Sequence, residues 1–194
     1  MSVPAVAGLV LAAGAGRRFG GPKAEVELDG IRLVDRCVAV LRAGGCDPVL
    51  VVARHELSAD GARVVINPDP DRGMGSSLSI GLAAVEAAGS GACVLVLVDQ
   101  VGISPAEIRS LTAVHSRSGE PVVVARREGR RSHPVLLARG VFAEVMLLAE
   151  GDSGARRYLD THAEQVRFVD LDGRIEDIDT VSDLRRLSSR PHSD

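Results

Sequence analysis

Residues 11–23 read Leu-Ala-Ala-Gly-Ala-Gly-Arg-Arg-Phe-Gly-Gly-Pro-Lys, a glycine-rich stretch with fixed positive charge at Arg17, Arg18 and Lys23. Glycine lets backbone N–H groups approach an anion closely, and cations neutralise the phosphates they surround. Neither common phosphate motif fits. A dinucleotide fingerprint runs G-x-G-x-x-G directly into a helix. Here Gly14, Gly16 and Gly20 have one residue too many, Pro22 follows, and Arg54 and His55 stand where an acidic residue would meet a ribose. A P-loop needs Gly-Lys-Ser/Thr, but Pro22 precedes Lys23 and Ala24 follows it. By itself the stretch is either an anion cradle of another kind or a turn with solvated arginines.

Asp99 closes the most apolar run of the chain, residues 93–98. A carboxylate at the carboxyl end of a central parallel strand sits where open α/β sheets hold ligands, and it suits a hard cation such as Mg2+. The same Asp could instead cap the turn that follows. Gly73-Met74-Gly75-Ser76-Ser77 leads into a helical pattern and reads alone as a helix N-cap. Asp179-Thr180, with Asp183 three residues on, reads as another cap. There is no HExxH, His/Cys cluster or Gly-x-Ser-x-Gly elbow, so zinc chemistry and acyl transfer have no residues to support them.

These residues need a scaffold, and short apolar runs alternating with helical periods supply the pattern of a parallel sheet covered by helices. Strands are expected at 6–12, 49–53, 64–66 and 93–98, the last of them central. Helices are expected at 33–43, from 74 to about 88, and from Ser104-Pro105 with Glu107 at the third helical position. An Asp29-Gly30 turn precedes the first helix, and Gly44-Gly45 closes it. A hairpin over 122–137 turns at Gly129. Its Pro134 cannot donate to a ladder and predicts an edge or inserted ribbon. Helices at 141–149 and 153–162, a strand at 166–169 and a helix from Thr180 complete the chain. No repeat or linker divides residues 1–194, which read as one domain with a frayed tail at 188–194.

The 194 residues, 45% hydrophobic and 25% charged, can bury a real core and exclude disorder or a disulfide-stapled miniature. Three Phe, one Tyr and no Trp leave no stacking platform for single-stranded nucleic acid, and a net charge of -3 gives no footprint for a polyanion. Cys37, Cys46 and Cys93 are unpaired in spacing and sit in apolar company, as in a reduced, cytoplasmic protein. The apolar start lacks a basic leader and passes into Arg17 and Arg18, and no other stretch approaches membrane-spanning length.

LAAGAGRRFGGPKAEVELDGIRLVD resembles the signature loop of the MobA-like nucleotidyltransferases, an L-A-A/G-G opening, an Arg a few residues on, then G-x-x-K. NPDPDRGMGSSLSIGL, the strand end at Asp99-Gln100, RRSHPVL, GDSGARRYL and DIDTVSDL resemble, in order, blocks of the molybdenum cofactor cytidylyltransferase branch. The resemblance implies a Rossmann-like three-layer α/β sandwich, similar to the nucleotide-diphospho-sugar transferases, with a mostly parallel sheet and an antiparallel edge ribbon. It implies transfer of an NMP from an NTP to a phosphate-bearing acceptor such as molybdopterin, with Mg2+, and a molybdoenzyme as possible partner. The N-terminal half would hold the NTP and the C-terminal half the acceptor. Arg17 then matches the residue that holds the leaving pyrophosphate, Lys23 the one that stabilises charge at the reacting phosphorus, and Asp99 the Mg2+ carboxylate. Leu11, Ala12, Ala13, Gly14, Ala15, Gly16, Asn67, Gly75 and Ser76 match nucleotide-binding positions. Gln100, His133, Asp177 and Asp179 match the acceptor side, His133 either donating to the acceptor or orienting a loop. Ala13, in place of a second glycine, favours CTP over GTP.

The chain departs from the family after Asp99, where Gln100-Val101-Gly102 replaces the usual D-M-P or D-Q-P, and at Val181, where Pro is usual. Loss of the first Pro predicts a relaxed loop. The departures also resemble a MobA-like sub-branch assigned to nicotine blue reduction. Two alternatives therefore stand beside cytidylyl transfer: an NAD(P)H-dependent reductase, and a non-catalytic nucleotide-binding chaperone for a molybdoenzyme.

Overall fold

The computed structural model describes residues 5–189; residues 1–4 of the apolar start and 190–194 of the expected frayed tail lie outside them. The seven-stranded sheet contains β1 (Val6–Ala12), β4 (Val49–Ala53), β5 (Arg63–Ile66), β6 (Ala92–Leu97), β8 (Val122–Arg127), β9 (Arg130–Ala138) and β10 (Val166–Asp170). Two small ribbons pair β2 (Glu27–Leu28) with β3 (Ile31–Arg32) and β7 (Gln100–Val101) with β11 (Glu176–Asp177). The strand order in the large sheet is β10-β8-β9-β6-β1-β4-β5, which puts β6 in the middle. Pairing is parallel everywhere except at β9, antiparallel to both neighbours. The carboxyl ends of β1, β4, β6, β8 and β10 therefore share one edge of the sheet, and every functional loop described below leaves from it.

Strands buried on both faces need helices on both. On one side α1 (Leu33–Ala43) and α3 (Pro105–Ser118) bury Leu33, Val34, Leu41, Ile108 and Leu111 against Val10, Val51 and Val94. On the other, α2 (Met74–Ala87), α4 (Phe142–Leu148) and α5 (Arg156–Thr161) bury Leu78, Leu82, Phe142 and Tyr158 against Leu9, Val52 and Leu95. Alternate residues of β1 thus serve opposite layers, as the period of two requires. The helix α6 (Val181–Ser188) follows β11 and begins at a capping box in which Thr180 accepts from the Asp183 backbone. The Ser104/Glu107 capping box of α3 forms as expected.

Of the two places open to the antiparallel ribbon β8-β9, inserted or edge, the structure has the inserted one, because β10 adds outside β8. Pro134 is tolerated there because Val124 pairs with Val135 while Ala125 pairs with Ser132, leaving His133 and Pro134 in a bulge where no ladder donor is needed. The helix expected at 153–162 spans only Arg156–Thr161, since a 3-10 turn over Gly151–Ser153 and a left-handed Gly154 precede it. The segment after Asp99 is held rather than relaxed: Val101 pairs with Glu176 and Gln100 with Asp177, a strand a proline would interrupt. Gly102, at φ 100°, turns against the Arg174 carbonyl, where a Cβ would stand 2.5 Å from the oxygen.

Candidate active site

A cavity of about 400 Å³ opens at the carboxyl ends of β1 and β6, under the glycine-rich loop. Lys23 lies on its floor, its side chain only 10% exposed. The ammonium donates to Asp99 Oδ2 and to Asp179 Oδ1, each at 2.9 Å. Asp99 is delivered by the end of β6, and Asp179 by the turn into α6, 80 positions later. The two segments are tied together by the Ile178 N–H donating to the Asp99 carbonyl at 2.9 Å. Burial works to lower the Lys23 pKa, but the hydrogen bonds and charges of both carboxylates outweigh it and hold the pKa above the usual lysine value. Lys23 is therefore a permanent cation. Because Thr180 caps α6, the Asp179 carboxylate is not taken up by the cap and accepts from Lys23.

The rim is cationic and exposed by comparison. Arg18 reaches Asp179 at 3.1 Å, and Arg17 approaches Asp71 at 3.9 Å, both with side chains more than three quarters exposed. Arg54, at the end of β4, donates Nε–H to the Ala13 carbonyl at 3.2 Å and Nη2–H to Asp71 at 2.8 Å, so it pins the loop that follows β1. That hydrogen bond from Arg54 holds the Asp71 carboxyl below its ordinary pKa. Within the loop, the N–H groups of Phe19, Gly20 and Gly21 all converge on the Gly16 carbonyl, fixing the turn that carries Lys23 inward.

Of the residues proposed for the nucleotide, Leu11, Ala13, Gly14, Ala15, Gly16, Arg17 and Lys23 line the cavity, together with Asp99 and Asp179. Ala12 faces the opposite core layer. Asn67 is buried behind the wall: its side chain donates to Ser76 Oγ and Ser77 Oγ and accepts from the Asp69 N–H, and it shapes the turn before α2. Ser76 donates to the Gly73 carbonyl, and Gly75 packs against the Ala149 carbonyl, so neither lines the cavity. Gly73, Met74 and Ser77 line it instead. Gln100 lines a separate small cavity beside Cys37, and Asp177 is exposed on β11. His133 lies in the β9 bulge. Burial, opposed by the charge of Asp99 and assisted by Arg127, pushes its pKa down to about 4, so it is a neutral imidazole near neutral pH. It can donate one N–H but brings no charge.

Arg18 and Arg54, noted in the sequence only as cations of the loop and of the strand end, also line this cavity, as do Asp71 and Asp152, which were not singled out. Arg54 and Asp71 had signals available, one at the end of a parallel strand and the other in the Pro-rich turn before α2. Asp152, in the loop over the start of α2, had none by position, because only packing brings the second half of the chain there.

The profile of the MobA-like NTP transferase domain matches residues 8–166. The chain belongs to this family. It is 34% identical to nicotine blue oxidoreductase of Paenarthrobacter nicotinovorans, over 95% of this chain and 97% of that protein. It is 30% identical to a probable molybdenum cofactor guanylyltransferase of Mycobacterium avium, over 94% of this chain and 95% of that one. Among solved structures, Rv0371c of Mycobacterium tuberculosis superposes with a TM-score of 0.84 at 30% identity, over 98% of this chain and all of that one. A manganese complex of the same protein gives 0.78 at 27% identity, over 97% of this chain and all of that one. UDP-glucose pyrophosphorylase, at 16% identity, 95% and 97% coverage and a TM-score of 0.76, shares the fold and confirms the nucleotide-diphospho-sugar transferase architecture. Family membership makes the chain a nucleotidyltransferase of the MobA-like kind.

Proposed function

We propose that this protein transfers CMP from CTP to the phosphate of molybdopterin or a related acceptor, releasing pyrophosphate. The observation that carries this reading is the Lys23 ammonium held between Asp99 and Asp179 beneath a glycine-rich, arginine-rimmed cavity. The acceptor phosphate oxygen forms a bond to the α-phosphorus as the bond to the β-phosphate oxygen breaks, so catalysis is alignment and charge neutralisation. Lys23 supplies a fixed cation at the floor, where the α-phosphate would lie, and Arg17, exposed at the rim and only loosely paired with Asp71, would hold the departing pyrophosphate. Ala13 lines the cavity; with the base against it, its methyl would be worth about 1–3 kcal/mol in favour of the smaller cytosine.

Two carboxylates with room for phosphate oxygens fit Mg2+, which is commonly held by one or two carboxylates plus substrate phosphates. Asp99 and Asp179 would hold it; when bound, it neutralises charge on the triphosphate. The manganese complex of the Mycobacterium tuberculosis relative supports a divalent ion here. The three buried cysteines, all held protonated by burial, fit a cytoplasmic setting for a single domain. No helix among the described residues is long and apolar enough to cross a membrane.

The likeness to nicotine blue oxidoreductase favours a second reading, NADPH-dependent reduction with Arg17 or Arg54 at the 2′-phosphate, but the family profile and the Lys23 cluster favour transfer. Calorimetric titration of wild type and Asp99→Asn with CTP, GTP, ATP, UTP and NADPH, with and without Mg2+, separates them. Mg2+-dependent CTP binding weakened by Asp99→Asn is expected. NADPH binding indifferent to both, with no response to triphosphates, overturns it. CTP binding with no pyrophosphate released in the presence of molybdopterin leaves a nucleotide-binding chaperone.

A further inference from the structure

A second polar groove, of about 320 Å³, lies on the same edge of the sheet, between the tip of the β8-β9 hairpin and the 173–176 loop. The hairpin tip breaks a rule of sheet pairing. Arg126 stands directly across from Arg131, and Arg127 across from Arg130. Like charges directly opposite destabilise a ladder, and a local rule broken without structural gain points to function. The tip also carries Glu128 at φ 49°, a strained conformation for a residue with a side chain.

Three of these four arginines are compensated. Arg126 forks onto Asp170, Arg131 pairs with Asp160, and Arg127 pairs with Glu107 from α3. Arg127 is also held by Ser132 Oγ and the His133 carbonyl, yet its buried Nε–H has no hydrogen-bond partner among the described residues. Arg130 takes part in none of the described ion pairs. Across the groove, whose lining also includes Glu128 and Glu176, the described ion pair of Arg174 is with Glu128, at 3.8 Å and with both side chains about four fifths exposed. Arg130 and Arg174 are thus two loosely held guanidinium forks facing a common space beside a buried cation. Such forks match the paired oxygens of a phosphate or carboxylate.

We propose that this groove is an anion subsite, with Arg130 and Arg174 as its ligands, that takes a second anionic group of the acceptor. Arg130 opens β9, the immediate neighbour of β6, so the groove lies beside Asp99 on the same edge of the sheet. An acceptor whose reacting phosphate sits at Lys23 and whose remote end is anionic would span the two. In molybdopterin the single phosphate is the reacting group, so the second anionic group is its dithiolate or the oxyanion that the dithiolate carries. This assignment of the acceptor rests on the transfer reading above; the presence of an anion site does not.

The first arm of the test needs no acceptor. Inorganic phosphate is titrated by calorimetry onto wild type, Arg130→Gln, Arg174→Gln and the double variant, each with a non-hydrolysable triphosphate and Mg2+ saturating the main cavity. The protein is expected to bind one phosphate, weakened about tenfold or more in the double variant by loss of the charge-assisted hydrogen bonds. No phosphate binding, or equal binding by the double variant, overturns the subsite. The second arm compares KM values during transfer to molybdopterin. A several-fold rise in acceptor KM in the double variant, with NTP KM and kcat unchanged, supports the acceptor assignment. Unchanged acceptor KM alongside lost phosphate binding overturns it and leaves a site for free anions. Absence of transfer in wild type would defeat the transfer reading and with it the acceptor assignment, while the first arm still decides the anion site.

Discussion

The two ends of the functional edge are built on different physical plans. At the Lys23 end, the proposed nucleotide end, charges are mutually satisfied before any ligand arrives: the buried Lys23 lies between two carboxylates, and Arg54 pins the loop through Ala13 and Asp71. At the hairpin end, cations are gathered against one another, and one of them is left without a counterion among the described residues. A preformed cluster costs no reorganisation when charge develops, which suits the reacting phosphate. An under-compensated cluster gains most from binding an anion, which suits the capture of a ligand's remote group. The parallel half of the sheet supplies the first plan because its strand ends converge. The antiparallel half supplies the second because a hairpin can project its tip.

The largest effect separating the two ends is expected at Lys23. Lys23→Ala should lower kcat by about 10² to 10³ as a fixed cation is lost from the transition state, whereas Arg130→Gln should leave kcat within about twofold. Steady-state kinetics of both variants checks this, and equal losses would erase the distinction. Next, Glu107→Ala tests whether the buried guanidinium at the hairpin end depends on its single carboxylate. Glu107 serves Arg127 and also caps Ser104, so its removal should destabilise by about 3 kcal/mol in urea unfolding, with Arg127 left buried and unpaired.

His133 sharpens the comparison through pH. Its folded pKa is depressed from 6.5 to about 4, chiefly by burial. The unfolded chain therefore takes up a proton first as pH falls. The contribution to stability is present above about pH 6.5, declines between pH 6.5 and 4, and is constant below. The decline should amount to ~2–3 kcal/mol and be absent in His133→Gln, as read from unfolding midpoints across pH. At the nucleotide end, Gly75→Ala places a Cβ 2.5 Å from the Ala149 carbonyl oxygen. It should cost about 1–3 kcal/mol and raise NTP KM by moving the 149–153 loop off the start of α2. The smallest effect is expected at Ser104→Ala, about 1 kcal/mol for loss of the α3 cap, with NTP binding unchanged.

Much of the nucleotide end was legible because its signals are local. An apolar run ending in glycines, an Asp closing the most hydrophobic strand, and a Ser-Pro-x-Glu cap each act within a few residues. The hairpin end was left open for the same reason. Pro134 allows an edge or an inserted ribbon while its neighbours in space are unknown, and the bulge that accommodates it depends on the pairing of Val124 and Ala125 across β9. The missing Pro after Asp99 suggested slack, whereas β11, over 70 residues later, supplies the restraint.

By itself the sequence determined the alternation of elements, their caps, the two core faces and the family, because periodicity and turn chemistry are properties of neighbouring residues. Tertiary structure alone decided that Asp179 would share Lys23 with Asp99, that Asp152 would border the same cavity, and that Arg130 and Arg174 would line one groove. Those pairings join segments separated by tens of residues, and their distances are set by how helices pack on the two faces of the sheet, which no local pattern encodes.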